Sequence, residues 1–219
     1  MSEILISGAA ELGIKLNSTQ LKQLLAYKNF LQEYNLKVNL TSIVDDDDIY
    51  VKHFLDSITI LKKLDIKEST RIIDIGTGAG FPGMILKILC PQVNFVLLDS
   101  LNKRIKFLNE LAKKLEISIG LECIHGRAEE ISSPKKNYRG SFDYAVSRAV
   151  ATLPKLLEYC MPFVKQGGSF IAMKGRNYHE ELEQSYKIAK KLKAKIDDIT
   201  EVKLPHSDIV HSLIVVKKL

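Results

Sequence analysis

The chain has 219 residues, of which 46% are hydrophobic and 26% charged, so it can form a core without disulfides or metal ions. Its three cysteines, Cys90, Cys123 and Cys160, form no CxxC pair, which excludes a disulfide framework and predicts buried thiols in a reducing cytoplasm. No stretch reaches the roughly 18 apolar residues of a membrane span, and residues 1–17 lack the features of a signal peptide. The net charge of +6 favours an anionic partner, although a lysine-rich composition alone also produces it.

The first 65 residues are predicted to be helical. Apolar side chains recur at helical spacing over 21–34, and Asn17, with a glutamine three residues later, has the pattern of a helix N-cap. The acidic run 45–48 is more typical of a helix start than of a metal site, because carboxylates favour a helix N-terminus. We therefore expect a helical extension, 1–65, packed on a second domain, 66–219.

From residue 71 onward, short apolar strands alternate with amphipathic helices. Strands are predicted at 71–75, 94–98, 118–124, 142–147, 169–173, 199–203 and 211–217, and helices at 82–89, 103–115, 153–164 and 178–193. This alternation is typical of βαβ units and a parallel sheet, whereas the last two strands leave no room for a crossover helix and should pair antiparallel. The sequence therefore predicts an α/β fold with a mostly parallel seven-stranded sheet and an antiparallel C-terminal strand, the arrangement of Rossmann-like class I methyltransferases.

A glycine-rich segment, 74–83, lies between the first predicted strand and its helix. Gly76 and Gly78 allow a sharp turn and a close approach of the backbone to a ligand at the helix N-terminus. Asp99 ends the second predicted strand, where its carboxylate can accept hydrogen bonds from both hydroxyls of a ribose. Together with Asp74 at the start of the segment, these residues predict a nucleotide-type cofactor site.

Two cofactors compete for this site. Gly78, Gly80 and Gly83 spell GxGxxG, the dinucleotide fingerprint. Three features favour S-adenosylmethionine over NAD: the acid Asp74, the roughly seventy residues ahead of the glycine segment, and the antiparallel end of the sheet. In addition, carboxylates accommodate the sulfonium and ammonium groups of S-adenosylmethionine, whereas a pyrophosphate favours bare backbone donors. We therefore expect S-adenosylmethionine.

Two further loops contribute candidate residues. After the third predicted strand, the Ala128 amide and the Glu129 carboxylate could read the edge of an adenine, although Glu129 is also typical of a solvated residue that opens a helix. The fourth strand ends near Arg148, where the sequence has neither the Asn-Pro-Pro-Tyr type of motif for amino groups nor a well-placed cysteine nucleophile. Arginine donors suit the acceptor-rich edge of guanine, although an ordinary ion-paired arginine is the alternative.

Several short motifs are spread over nearly the whole chain, from about residue 12 to 216. They are Asn39-Leu40-Thr41, His53-Phe54-Leu55-Asp56-Ser57, the glycine segment 74–83, Leu98-Asp99-Ser100, Lys103-Arg104, Ser147-Arg148-Ala149 and Lys174-Gly175. In this combination the chain resembles the bacterial 16S ribosomal RNA guanine-N7 methyltransferases, the RsmG (GidB) family. The resemblance implies methylation of a guanine N7, with S-adenosylmethionine held at Gly76, Phe81, Ala128, Glu129 and Arg148. Arg148 would orient the donor or the guanine, since a guanidinium cannot act as a base near neutrality.

RNA phosphates require basic side chains near the carboxyl edge of the sheet. Lys103, Arg104, Lys174 and Arg176 stand in loops or helix starts there and are predicted to contact 16S ribosomal RNA or the small ribosomal subunit. Two other functions stay open: a non-catalytic RNA- or ribosome-binding protein on the same fold, and a small-molecule methyltransferase. We expect a cytoplasmic monomer without a metal ion or membrane association. His211 has no role in this prediction.

Overall fold

The structure is a computed structural model that describes residues 2–148 and 151–219, so Ala149 of the Ser147-Arg148-Ala149 motif lies outside the described residues. Its strands are β1 Arg71–Ile75, β2 Asn94–Asp99, β3 Leu121–His125, β4 Phe142–Arg148, β5 Val164–Lys174, β6 Ala194–Lys203 and β7 Val210–Lys218. They form a seven-stranded sheet in the order β3-β2-β1-β4-β5-β7-β6. Strand β7 runs antiparallel to both of its neighbours, and the remaining pairs are parallel. The predicted mostly parallel sheet with an antiparallel C-terminal strand is confirmed.

Helices precede the sheet and flank it. They are α1 Glu3–Glu11, α2 Ser18–Val38, α3 Asp46–Ile49, α4 Asp56–Ile58, α5 Gly83–Leu89, α6 Asn102–Lys114, α7 Ala128–Ile131, α8 Leu153–Cys160 and α9 Leu182–Lys191. A π-helical turn, Tyr50–Leu55, joins α3 to α4, and 3₁₀ turns cover Thr59–Lys63 and Arg176–Glu181. The N-terminal part is thus mainly helical, as predicted, with non-helical connections at 12–17 and 39–45.

The starts of the N-terminal helices follow local sequence rules. Asn17 Oδ1 accepts the Gln20 N–H at 2.8 Å, while the Gln20 side chain accepts the Asn17 N–H at 3.0 Å, which is a reciprocal capping box. Asp45 Oδ1 accepts the N–H groups of Asp47 and Asp48 at 3.0 and 3.1 Å. The acidic run therefore begins a helix, as predicted.

Four predicted boundaries are wrong. The helix predicted to reach residue 164 ends at Cys160, and β5 already begins at Val164, because Pro162 cannot continue the helical hydrogen bonds. Strand β3 begins three residues later than predicted, after Gly120, whose φ of +67° breaks the extended conformation. Strand β6 begins at Ala194 rather than at residue 199, because the polar residues of an edge strand hide the apolar alternation.

The sheet is covered on both faces. On one face the N-terminal helices share a core with α5 and α6, in which Tyr27 and Phe54 are buried together with Met84 and Phe107. On the other face, α8 and α9 pack on β4, β5 and β6. The helical extension and the sheet domain therefore share one apolar core, while their division at residue 65 stays a prediction. Because β1, β2 and β4 are parallel neighbours, their carboxyl ends meet at one edge of the sheet.

Candidate active site

The glycine loop turns back against the end of β2. The N–H groups of Gly76 and Thr77 donate to the carbonyl of Leu98 at 2.9 and 3.1 Å. Gly76 and Gly78 have φ values of +72° and +62°, a left-handed region in which glycine is strongly favoured. The loop therefore crosses from β1 to the carboxyl end of β2 before α5 begins at Gly83.

Asp74, near the end of β1, is fully buried. Its Oδ2 atom accepts the Gly83 N–H at 2.8 Å, whereas its Oδ1 atom is buried without a hydrogen-bond partner among the described residues. Burial raises the pKa of this carboxyl to about 6. A buried acceptor without a partner is unfavourable unless a donor or a positive charge comes near it, so Asp74 fits a ligand with the cationic groups of S-adenosylmethionine.

Asp99 ends β2 with a carboxylate that the backbone orients. Its Oδ2 accepts the Gly78 N–H and its Oδ1 accepts the Leu101 N–H, both at 2.9 Å. The side chain is 1% exposed and lies 3.2 Å from Nη1 of Arg104. Arg104, a predicted RNA contact, is thus directed toward the cofactor residues, and its Nε is buried without a partner in the described part of the chain.

A cleft of about 440 Å³ opens at the ends of β1, β2 and β3. Its walls consist of Ile75, Gly76, Leu98, Asp99, Ser100, Arg104, Gly126, Arg127, Ala128, Glu129 and Tyr159. Four residues that the sequence predicts to bind the donor, Gly76, Asp99, Ala128 and Glu129, therefore line one cleft. Its volume lies within the range of small-molecule sites. Tyr159, from α8, joins this wall without any signal in the sequence.

Arg148, at the end of β4, is held by three acceptors from the segment around the π-helical turn. Its Nη1 donates to the Lys52 carbonyl at 2.9 Å and to Asp56 Oδ2 at 2.8 Å, and its Nη2 donates to His53 Nδ1 at 3.1 Å. The guanidinium also lies 5.1 Å from the centre of the Phe81 ring, a cation–π contact. The structure thus brings Phe81 and Arg148 together, apart from the residues that line the cleft.

Phe81 belongs to a buried stack of rings. The centre of the His53 ring lies 4.3 Å from that of Phe81, and Tyr27 from α2 stacks on Phe81 at 5.4 Å. Burial lowers the pKa of His53 to about 4, and the charge of Arg148 acts in the same direction. His53 is therefore neutral near neutrality. The motif at residues 53–57 is the signal in the sequence for His53 and Asp56, but it does not indicate which residues they contact.

Asp56 also contacts His211, which comes from β7. His211 Nδ1 pairs with Asp56 Oδ1, and His211 Nε2 lies 3.2 Å from Thr59 Oγ1. Burial by itself would raise the pKa of Asp56, but the hydrogen bond from His211 and the charge of Arg148 outweigh it, so the pKa is lowered. The structure therefore places His211, which has no role in the sequence prediction, two contacts away from the predicted site.

The remaining predicted RNA contacts differ in their surroundings. Lys103 and Arg176 are exposed, and Lys103 Nζ donates to the carbonyl of Val38 at 3.0 Å. Lys174 is only partly exposed and pairs with Glu181 at 3.0 Å. An RNA contact by these side chains stays a prediction.

Within residues 2–148 and 151–219, no three His, Cys, Asp or Glu side chains are grouped so that they could hold a metal ion. In the same ranges, none of the helices has both the length and the apolar character that crossing a membrane requires.

Known structures share the fold of this chain. The structure of M. jannaschii TYW2 in complex with AdoMet has a TM-score of 0.58 at 15% identity, covering 75% of this chain and 77% of that chain. The tRNA (m1A58) methyltransferase TrmI from Aquifex aeolicus has a TM-score of 0.57 at 18% identity, covering 75% of this chain and 68% of that chain. These likenesses support the Rossmann-like methyltransferase fold.

The sequence carries a more specific likeness. Residues 20–210 match the family model of GidB, rRNA small subunit methyltransferase G. A protein named ribosomal RNA small subunit methyltransferase G from Thermoanaerobacter sp. (strain X514) is 50% identical over 217 residues, covering 99% of this chain and 90% of that protein. A protein of the same name from Acetivibrio thermocellus is 50% identical over 218 residues, covering 100% of this chain and 88% of that protein. The chain therefore belongs to the rRNA small subunit methyltransferase G family.

Proposed function

We propose that this chain transfers a methyl group from S-adenosylmethionine to the 7-nitrogen of a guanine in 16S ribosomal RNA. Membership in the rRNA small subunit methyltransferase G family supports the class of reaction and the RNA. The observation that supports the 7-nitrogen is that the titratable side chains in contact with Arg148 are already engaged. Asp56 pairs with Arg148 and His211, and His53 accepts a hydrogen bond from Arg148.

An acceptor without a proton suits such surroundings. The 7-nitrogen of guanine has an in-plane lone pair and no proton, so its methylation requires no general base. His53 is a poor base because its pKa is lowered to about 4 and its Nδ1 is occupied by Arg148. A guanidinium stays protonated in proteins, so Arg148 would orient the donor or the guanine rather than remove a proton. The rate would then come from alignment of the reactants, and acceptors near the ring would stabilise its developing positive charge.

The donor would be held by the cleft and by the Arg148 side of the site. At Gly76 and Gly78 the backbone would approach the donor closely. Asp99 would accept hydrogen bonds from the ribose hydroxyls. The Ala128 N–H and the Glu129 carboxylate would bind the edge of the adenine. When bound, S-adenosylmethionine supplies a methyl group on a positively charged sulfur. Asp74, Phe81 and Arg148 would complete the site.

The RNA would approach along the basic residues Lys103, Arg104, Lys174 and Arg176. The formal net charge of +6 supports an anionic partner of this kind. Since Arg104 and Lys174 are paired with Asp99 and Glu181, their contacts to phosphates would require a rearrangement of these pairs. We expect the protein to act as a monomer in the cytoplasm.

Small ribosomal subunits that lack the modification, incubated with tritiated methyl donor, test this function. We expect label in 16S ribosomal RNA and chain cleavage at the modified nucleotide after borohydride and aniline, because that cleavage requires the cationic ring. The single-turnover rate should vary little between about pH 6.5 and 9, since no side chain has to lose a proton.

Each alternative has its own outcome in this experiment. Labelled RNA that resists cleavage, or a steep bell-shaped pH profile, would assign the methyl group to another atom. Absence of label would favour a non-catalytic RNA- or ribosome-binding protein. Label in a small molecule would favour a small-molecule methyltransferase. Tight binding of NADH without binding of S-adenosylhomocysteine would contradict the assignment of S-adenosylmethionine as the cofactor.

A further inference from the structure

The guanidinium of Arg148 has acceptors on only part of its edge. A guanidinium has five N–H donors. The Lys52 carbonyl and Asp56 Oδ2 take those of Nη1, and His53 Nδ1 takes one of Nη2. Among the described residues, Nε–H and the second Nη2–H have no partner. All three acceptors lie within residues 52–56, so one segment of the N-terminal part supports this arginine while two donors remain for a ligand.

The hydrogen bonds determine the tautomer of His53. Arginine can only donate, so His53 Nδ1 must carry the lone pair and Nε2 must carry the proton. Nε2 accordingly donates to Thr41 Oγ1 at 2.9 Å, and that oxygen also accepts the Ile43 N–H at 3.1 Å. The ring is further held on Phe81 by stacking. His53 is therefore a neutral acceptor that is oriented from two sides toward Arg148.

Asp56 is oriented in a comparable way from its other oxygen. The Thr59 hydroxyl donates to the Asp56 carbonyl at 2.6 Å, and its oxygen lies 3.2 Å from His211 Nε2. His211 Nδ1 pairs with Asp56 Oδ1. The carboxylate thus lies between His211 and Arg148, with Oδ2 directed at Arg148.

Burial makes the charges of Asp56 and Arg148 depend on each other. The side chains of Asp56 and Arg148 are 11% and 18% exposed, so each charge depends on its partner for compensation. When one member of a buried pair is removed, the charge that remains is strongly disfavoured where it lies and moves toward water if it can. Without Asp56, Arg148 would lose its charged acceptor and, with it, its orientation.

We propose that Asp56 and His53 are positioning residues that hold Arg148 in the orientation in which its remaining donors bind the methyl donor. This inference rests on the proposed donor role of Arg148. The alternative is that the contacts only fasten the N-terminal helices to the sheet. In that case their loss would lower stability without a specific effect on the donor.

Calorimetry with S-adenosylhomocysteine on the full chain separates the two. Asp56→Asn keeps the size of the side chain and removes its charge, and we expect donor affinity to fall roughly 10- to 100-fold, the range for a lost charge-assisted hydrogen bond. The matched control is Asp46→Asn, which removes the carboxylate from the pair with Lys28 in the same helical region. We expect that variant to lose stability but to keep the donor affinity of the unmodified chain.

A double-mutant cycle adds a readout that a merely structural role would not produce. In an Arg148→Gln background, Asp56→Asn should change donor affinity by less than about twofold, because both substitutions then act through the same side chain. Full affinity in Asp56→Asn alone, or losses that simply add, would overturn the inference while the proposed function stands. If Arg148→Gln keeps full affinity, both the donor role of Arg148 and the inference fall. If the unmodified chain does not bind S-adenosylhomocysteine, the proposed function itself falls.

His53 provides a second route if Asp56→Asn does not fold. His53→Asn places an amide oxygen near the position of Nδ1 and retains an acceptor for Arg148, whereas His53→Leu removes the acceptor at similar volume. Both variants lose the stacking on Phe81, so that loss is common to the pair. We expect His53→Asn to bind S-adenosylhomocysteine several-fold more tightly than His53→Leu. Equal affinities would contradict a positioning role of His53.

Discussion

The site has two sides, the glycine loop with Asp99 and the surroundings of Arg148. On the glycine-loop side, hydrogen-bonded residues are close in sequence: Asp74 accepts the Gly83 N–H from nine residues later, and Asp99 accepts the Gly78 N–H from 21 residues earlier. On the Arg148 side, the three acceptors come from 92 to 96 residues earlier, and His211 reaches the same cluster from 152 residues beyond Thr59. The first side uses mainly backbone amides, whereas the second uses mainly side chains. The contacts between the glycine loop and Asp99 therefore form within one βαβ unit, but the Arg148 side requires the N-terminal helices and the last strand.

The two sides also differ in their electrostatics. Asp74 is a buried carboxyl with an unused oxygen, and burial raises its pKa to about 6. Asp56 is also buried, but the hydrogen bond from His211 and the charge of Arg148 lower its pKa. Burial alone thus does not decide the charge of a carboxyl in this protein; the neighbouring charges do. Asp74 would therefore receive a charged partner only with the ligand, whereas Asp56 already has Arg148 as its charged partner within the chain.

The largest expected effect is a loss of stability in Gly80→Ala, which tests whether the glycine loop, like the Arg148 side, depends on packing against the N-terminal helices. In Gly80→Ala, a Cβ would lie 2.5 Å from the Tyr27 hydroxyl oxygen and 2.9 Å from Met84 Cβ, at a φ of +101°. We expect the free energy of unfolding to fall by about 3 kcal/mol or more, measured by urea denaturation.

The control for this substitution is Gly78→Ala. Its φ is +62°, but a Cβ there would meet no atom of the described residues within 4 Å, so only about 1–2 kcal/mol should be lost. Equal losses at the two positions would mean that contact with α2 does not restrict the loop.

The next effect uses the opposite pKa shifts on the two sides. The pKa of Asp74 is raised from 3.8 to about 6, so Asp74 lowers stability as the pH rises through this window. The pKa of His53 is lowered from 6.5 to about 4, so His53 lowers stability as the pH falls through its window. Each contribution amounts to about 3 kcal/mol at most, and in the unmodified chain the two largely cancel.

Urea denaturation at several pH values between about 4 and 7 checks these signs. Relative to the unmodified chain, Asp74→Asn should become more stable as the pH rises, because its oxygen can still accept the Gly83 N–H without a charge. Relative to the same reference, His53→Asn should become more stable as the pH falls. Differences that follow the pH in the same direction for both variants would refute the opposing shifts.

A moderate effect tests the donor cleft alone. Asp99→Ala should weaken binding of S-adenosylhomocysteine by about 1–3 kcal/mol in calorimetry, because charge-assisted hydrogen bonds to the ribose are lost. Asp198→Ala, which removes a carboxylate from the distant pair with Lys63, is the control and should bind normally. Unchanged affinity in Asp99→Ala would remove Asp99 from the ribose role.

The smallest expected effect is on the salt dependence of RNA binding by exposed basic residues outside the donor site. Lys103→Gln and Arg176→Gln should each reduce the salt dependence of RNA binding by about 0.7–0.9 in the slope of log K against log salt, provided that each residue contacts one phosphate. Lys187→Gln, on the exposed face of α9 and paired with Glu183, should leave the slope unchanged. A binding constant insensitive to salt in the unmodified chain would indicate a protein contact on the ribosome instead.

The sequence by itself determined the order of strands and helices, the capping box at Asn17 and the acidic helix start at Asp45. It also indicated that the glycine loop and Asp99 lie at one site. These features depend on residues that are near each other in the chain or that recur with a fixed period, and such patterns are visible without coordinates. The same reasoning brought Ala128 and Glu129 to the cleft, because parallel strands end at a common edge.

Only the tertiary structure decided the partners of Arg148, the inward direction of Arg104 and the contact between Asp56 and His211. A motif can reveal that His53 and Asp56 matter, but not which cation they face. That choice depends on how the N-terminal helices pack on the sheet, which brings side chains from distant segments within hydrogen-bond distance. Such packing arises from the summed burial of apolar surface, which is not directional and so leaves no local signature in the sequence.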